Sequence, residues 1–235
     1  MNQTINPTIN QAMYQNATSP RLRYQTVDFG KIDVHICTLR SNQEFYDPDR
    51  VAAKLGISSA TWPIFGVIWP SGMVLAHYMH SHDTGTKRVL EIGCGTALTS
   101  LLLNKQNVDI TATDYHPEVE HFLNRNTKLN NNDQIPFERT GWADKNDTLG
   151  KFDLIIGSDL LYEDEHTNLL ADFIFDHSEP HCEVILVDPD RGRKSKLSTK
   201  MGELGYSTTF IKVERTDFLE KPFKGHILKF ERCAV

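Results

Sequence analysis

Cysteine is scarce and scattered in this 235-residue chain: Cys37, Cys94, Cys182 and Cys233 form no CxxC pair and have no histidine at ligand spacing. That pattern speaks against a zinc ribbon or a disulfide scaffold and fits a reducing compartment. The ten histidines are assigned no ligand role, and no metal site is expected. No run of about 18 apolar residues occurs. The opening segment "MNQTINPTINQAMYQNATSP" is polar and has neither a basic stretch nor an apolar one of the kind a secretory signal needs. The expectation is a soluble, cytoplasmic protein with no membrane partner. An excess of positive charge is also missing: 25 Lys and Arg stand against 31 Asp and Glu, a net charge of −6. Broad binding to a phosphate backbone is therefore disfavoured, and no nucleic-acid partner is expected. No internal repeat is visible, and composition sets no oligomeric state.

What the chain does have is enough apolar material for one α/β domain, with 39% hydrophobic residues. Residues 1–20 are rich in Asn, Gln and Thr and end at Ser19-Pro20, which reads as a mobile polar tail. Residues 21–86 form an N-terminal extension. Within it "RYQTVDFGKIDVHICTLR" alternates loosely around Gly30 as a hairpin, and "DPDRVAAKLG" is a short helix with Asp47 or Asp49 near its start. "SGMVLAHYMHSH" follows Pro70 with helical spacing and Ser71 as its predicted N-cap.

From residue 87 to 235 strands alternate with helical segments, the pattern of a Rossmann-like, doubly wound sheet. Seven strands are predicted, near 88–92, 108–113, 136–140, 152–157, 183–187, 207–213 and 226–231. The last two lie close enough to pair as an antiparallel hairpin in an otherwise mostly parallel sheet. Ligands of such sheets bind beyond the carboxyl ends of the strands, so the loops there carry the functional reading.

The first of these loops lies in "VLEIGCGTALTSLLL". Gly93 and Gly95 let the backbone turn sharply and approach a ligand, and Glu91 sets a carboxylate beside the turn. Leu98 stands where a dinucleotide loop has its third glycine. A pyrophosphate would also meet Glu91 unfavourably, whereas S-adenosylmethionine, with an ammonium, a sulfonium and no phosphate, fits. Asp114 ends the second strand in "ITATDYHP", at the spacing where an acidic side chain accepts from ribose hydroxyls.

These motifs resemble class I S-adenosylmethionine-dependent methyltransferases. Within them the chain is similar to the seven-β-strand protein-lysine methyltransferases that include the electron-transfer-flavoprotein β-subunit enzyme. The resemblance runs from about Tyr46 onward through "GVIWPSGMVLA", "VLEIGCGTALTS", "TATDYHPEV", "TGWAD" and "GSDLLYEDEH", of which "DLLY" is the most specific. "VDPDRGR" is similar to an Asp-Pro-Gly-Arg stretch of the flavoprotein-directed branch, with Asp190 in place of Gly. The resemblance implies a cradle of Gly93, Cys94 and Gly95 for the cofactor, Trp69 along its methionine side and Asp114 on its ribose. Trp142 and Asp144 would frame the adenine, Ser158 would lie at the cofactor's edge, and Asp159 and Tyr162 would form the substrate mouth. The implied activity is methyl transfer to a lysine nitrogen of a protein substrate, with a small-molecule N-methyltransferase as the alternative.

Rival chemistries lack their residues. DNA amino-methyltransferases carry prolines after the fourth strand, where this chain has Asp159-Leu160-Leu161-Tyr162. Cytosine carbon methylation needs a nucleophilic cysteine, and Cys94 lies inside the glycine turn. The cluster "RGRKSK", Arg191 to Lys196, reads as a solvated helix start.

Overall fold

The β-like alternation around Gly30 forms a hairpin of β1 (Leu22–Asp28) and β2 (Asp33–Leu39), with Val27 opposite Val34 and Gly30 turning at φ +81°. The computed structural model describes residues 19–145, 148–161 and 166–233. Tyr162 and most of the N-terminal tail lie outside these. A short α1 (Val51–Lys54) follows the hairpin, and Asp47 accepts from the backbone N–H groups of Ala52 and Ala53 at 3.2 and 2.9 Å, as its position suggested. A 3-10 helix (Trp62–Gly66) leads to α2 (Pro70–His80). Ser71 is not the N-cap of α2: Trp69 takes that place and Pro70 opens the helix. Proline has no N–H to leave unsatisfied and its φ is already helical, so the helix starts before Ser71.

The remaining elements build the sheet: β3 (Val89–Ile92), α3 (Leu98–Lys105), β4 (Ile110–Asp114), α4 (Val119–Leu129), β5 (Phe137–Arg139) and β6 (Phe152–Ser158). Then come α5 (His166–His177), β7 (Ser178–Asp188), α6 (Lys194–Glu203), β8 (Tyr206–Lys212) and β9 (His226–Arg232). The strand order is β5-β4-β3-β6-β7-β9-β8. All neighbours are parallel except β9, which runs antiparallel to both β7 and β8. The predicted terminal hairpin is present, with its second strand inserted against β7. β7 begins five residues earlier than predicted. Its polar, proline-containing start pairs across a register shift opposite Phe152–Leu154, and such a bulge breaks the alternation a sequence reading looks for.

Alternate residues of the central strands face two cores. Val89, Leu154, Ile156, Ile185 and Val187 join α2, α3 and α4, while Leu90, Ile92, Ile155, Val184 and Leu186 join α5 and α6. Val34, Ile36 and Trp62 of the N-terminal segment belong to the first core, so hairpin and sheet share one interior. A second fastening is polar. Asn126 of α4 accepts from Cys37 N–H at 2.7 Å and donates to Cys37 C=O at 3.1 Å, and Asn130 does the same to His35 at 2.8 and 2.6 Å. Four residues of helix rise about 6 Å and two of strand about 6.6 Å, so two amides one helical turn apart match alternate residues of β2. Asn126→Ala would leave both backbone groups of the buried Cys37 unpaired on that side. We expect a loss of about 2 kcal/mol, read from urea unfolding; an unchanged midpoint would show that the amide carries no load.

Candidate functional site

The strand order reverses between β3 and β6, since the chain leaves β3 toward β4 on one side and later places β6 on the other. The carboxyl ends of these two strands therefore open on a common cleft. The loop after β3 turns through three positive φ angles, Gly93 (+59°), Gly95 (+51°) and Ala97 (+56°). A Cβ on Gly95 would stand 2.9 Å from the carbonyl oxygen of Phe65, a backbone atom that cannot yield, so glycine is required there. A Cβ on Gly93 would strike Leu160 at 2.5 Å, which shows how tightly the loop after β6 closes on this turn.

The acidic residues hold the loop. Glu91 is 4% exposed, and its Oε2 accepts from both the backbone N–H (2.9 Å) and the hydroxyl of Ser100, in the first turn of α3. It satisfies an amide that a helix start leaves unpaired. Burial pushes its pKa up to about 7 against these hydrogen bonds. Asp114, at the end of β4, accepts from Gly95 N–H at 2.9 Å and His116 N–H at 2.8 Å. Burial raises its pKa while those backbone donors lower it. Cys94 turns inward: it is 8% exposed, its N–H donates to Thr113 C=O at 3.0 Å, and burial drives its thiol well above the ordinary range. The sequence grouped it with Gly93 and Gly95 in one cradle; the fold makes it the inner wall of that turn.

The other predicted residues sit before α2, after β5 and at the end of β6. Trp69 precedes α2 and is fixed by its Nε1 donating to Ile64 C=O at 2.8 Å. One turn further on, a Cβ on Gly72 would lie 3.6 Å from Ser158 Oγ, so the start of α2 borders the end of β6. Asp144 accepts from Gly141 N–H at 2.7 Å and closes the turn after β5. Trp142 is half-buried against the α5 side and stands edge-on to His166, with ring centroids 5.5 Å apart. Asp159 follows β6 at φ +56° with its N–H bonded to Val187 C=O at 2.9 Å.

Three residues were not assigned to the site from the sequence. Tyr115, beside Asp114, is 40% exposed and donates to Leu55 C=O at 3.0 Å, and its ring would lie 3.2 Å from a Cβ on Gly141. It brings an aromatic edge between Asp114 and the Gly141–Asp144 turn. Arg191 was read as part of a solvated basic cluster, yet its Nε and Nη2 donate to the two carboxylate oxygens of Asp159 at 2.8 and 3.0 Å. Asp188 ends β7, 2% exposed, with Oδ2 accepting from Asp190 N–H at 3.0 Å and Oδ1 without a hydrogen-bond partner among the described residues. The signal was available for both: "VDPDR" ends the strand that neighbours β6, so its loop must adjoin Asp159.

Comparison with known proteins agrees with this architecture. A family model described as lysine methyltransferase matches residues 55–201, from the segment before the 3-10 helix to the end of α6. Protein-lysine methyltransferase METTL21E of Bos taurus is 30% identical over 146 residues, 57% of this chain and 50% of its own length. Histone-arginine methyltransferase METTL23 of Xenopus laevis is 32% identical over 103 residues, 41% and 44% of the two chains. The electron transfer flavoprotein beta subunit lysine methyltransferase of Xenopus laevis is 25% identical over 137 residues, 57% and 55%. The chain thus spans about half the length of these relatives. Among solved structures, a methyltransferase from Pyrococcus furiosus superposes with a TM-score of 0.56 at 25% identity, covering 70% of this chain and 83% of that one.

Proposed function

Since the chain belongs to the lysine methyltransferase family whose model spans residues 55–201, we propose that it transfers a methyl group from S-adenosylmethionine to a lysine side chain of a protein substrate. The observation that carries this reading is the placement of Asp159, at the end of β6, across the switch point from the glycine turn and Asp114. The donor set suits this cofactor. Glu91 and Asp114 put carboxylates, not cations, around the turn, which favours a ligand bearing an ammonium and a sulfonium over a pyrophosphate. Each Asp114 oxygen accepts one backbone N–H and keeps a lone-pair site for a ribose hydroxyl. Tyr115 and Asp144 would frame the adenine, with Trp142 as its outer wall. Trp69 and Ser158 would border the methionine part, and Glu91 acts by fixing the loop through Ser100.

When bound, S-adenosylmethionine supplies an electrophilic methyl group on a sulfonium. The protein's own task is alignment: Asp159 and Tyr162 orient the acceptor nitrogen, and the cleft keeps it desolvated, so that the gain comes from proximity and orientation rather than a covalent intermediate. The reducing, cytoplasmic setting expected from the cysteines belongs to the same reading.

S-Adenosylhomocysteine at about 100 times its Kd is expected to stabilise the fold by about 2.7 kcal/mol, about 5 to 11 °C in Tm. Asp114→Ala should remove most of that shift, and NAD should produce none. Labelled methyl transfer into a cell lysate, followed by amino-acid analysis of the labelled protein, then identifies the acceptor. Label on arginine, nucleic acid or a free metabolite would replace lysine as the substrate class. A shift with NAD and none with S-adenosylhomocysteine would overturn the reading as a whole.

A further inference from the structure

An incoming amine does not meet a bare carboxylate at Asp159. The guanidinium of Arg191 binds both oxygens in the parallel fork that arginine and carboxylate favour. The Asp159 side chain is 14% exposed and that of Arg191 44%, so the acid is sheltered and the guanidinium forms part of the rim. The turn that carries Arg191 is fastened on both sides. Asp190 donates its N–H to Asp188 and pairs with Lys194 of α6 at 2.9 Å, and Lys194 Nζ lies 3.2 Å from His226 Nδ1 of β9. Asp188, a further acid of this corner, is buried where its negative charge is disfavoured. Among the described residues, the charged groups facing Asp159 are Arg191 from the β7–α6 loop and Asp188 from β7, with Asp190, Lys194 and His226 beyond them.

We infer that Arg191 is a positioning residue that neutralises Asp159, so that the acceptor lysine docks as the uncharged amine. The inference rests on the proposed methyltransferase function. An ammonium has no lone pair and cannot attack, and a lone carboxylate beside it would raise its pKa and hold the proton. A carboxylate already paired with arginine still accepts an N–H from a neutral amine, yet offers no unbalanced negative charge to an ammonium. The lysine proton leaves to water first. The nitrogen lone pair then forms the N–C bond while the C–S bond breaks and its electron pair returns to sulfur. Arginine serves here better than lysine because its fork holds the acid in one orientation as well as balancing its charge.

The test uses a probe that spans both sites: a cofactor analogue with carbon in place of sulfur that carries an aminobutyl arm, and the same compound with a butyl arm. In the wild type, affinity for the aminobutyl compound is expected to rise about tenfold per pH unit between pH 7 and 10, since an amine of pKa about 10.4 must shed its proton to bind. The butyl compound sets the baseline for every other titrating group. Arg191→Met should bind the aminobutyl compound with little dependence on pH over that range, because the freed carboxylate now takes the ammonium. Arg191→Lys should restore most of the slope. A S-adenosylhomocysteine melting shift in each variant shows that it is folded and that its cofactor half is intact. Equal slopes in wild type and Arg191→Met would overturn the inference while leaving the methyltransferase reading in place. Failure of both analogues and of S-adenosylhomocysteine to bind the wild type would overturn that reading, and the inference with it.

Discussion

Asp159→Ala is expected to lower methyl transfer by about 100-fold or more while leaving the affinity for S-adenosylhomocysteine within a few-fold of wild type. Among the described residues the carboxylate makes no hydrogen bond to the glycine turn or to Asp114, and its partner is Arg191. Its loss therefore falls on alignment of the acceptor, where a displacement of about 1 Å can cost about 100-fold in rate. The fold should tolerate the change, because the guanidinium left behind is 44% exposed and can be solvated. Labelled-methyl incorporation and calorimetric titration read the two effects separately. Wild-type turnover would remove Asp159 from the mechanism, and a collapse in cofactor affinity would move it into the cofactor half of the site.

Glu91→Gln should change how stability depends on pH. In the folded protein burial lifts the Glu91 pKa from about 4.5 to about 7. Between these values the folded state keeps a proton that the unfolded state has released, so stability falls as pH rises through this window and is level above it. The span of roughly 2 to 3 pH units corresponds to about 3 kcal/mol, as an order of magnitude. Glutamine keeps an oxygen for the Ser100 N–H and cannot ionise. The variant should thus match or exceed wild type near pH 8 and lack the decline. Glu183 acts with the opposite sign: a hydrogen bond from His82, then Lys87 and Lys229, holds its pKa well below the usual range, and its contribution is lost as pH falls. Urea unfolding of both proteins from pH 4.5 to 8 isolates Glu91 as the difference between the two curves. Parallel curves would show that Glu91 ionises in the fold as readily as in water.

By itself the sequence determined what is set by periodicity and by single-residue backbone chemistry. Alternating apolar residues in the central strands require two buried faces, and both cores are built from that alternation. Gly93 and Gly95 mark backbone positions that side chains avoid, so the glycine turn was legible before any coordinates, whereas the bond from Gly95 N–H to Asp114 was not. Gly30 marked the hairpin in the same way. The tertiary structure decided what depends on which distant segments become neighbours. No local pattern inserts β9 between β7 and β8, and none tells Arg191, 32 residues beyond Asp159, from any other solvated arginine. Glu91 could face a ligand or a helix end from the same position in the chain, and only the packing of α3 on β3 turns it toward Ser100. Asn126 and Asn130 likewise look like ordinary polar residues of a helix until β2 lies alongside with its N–H and C=O groups unpaired. Hydrophobic periodicity is a property of the segment, whereas a hydrogen bond or ion pair is a property of two segments that only the closed sheet brings together.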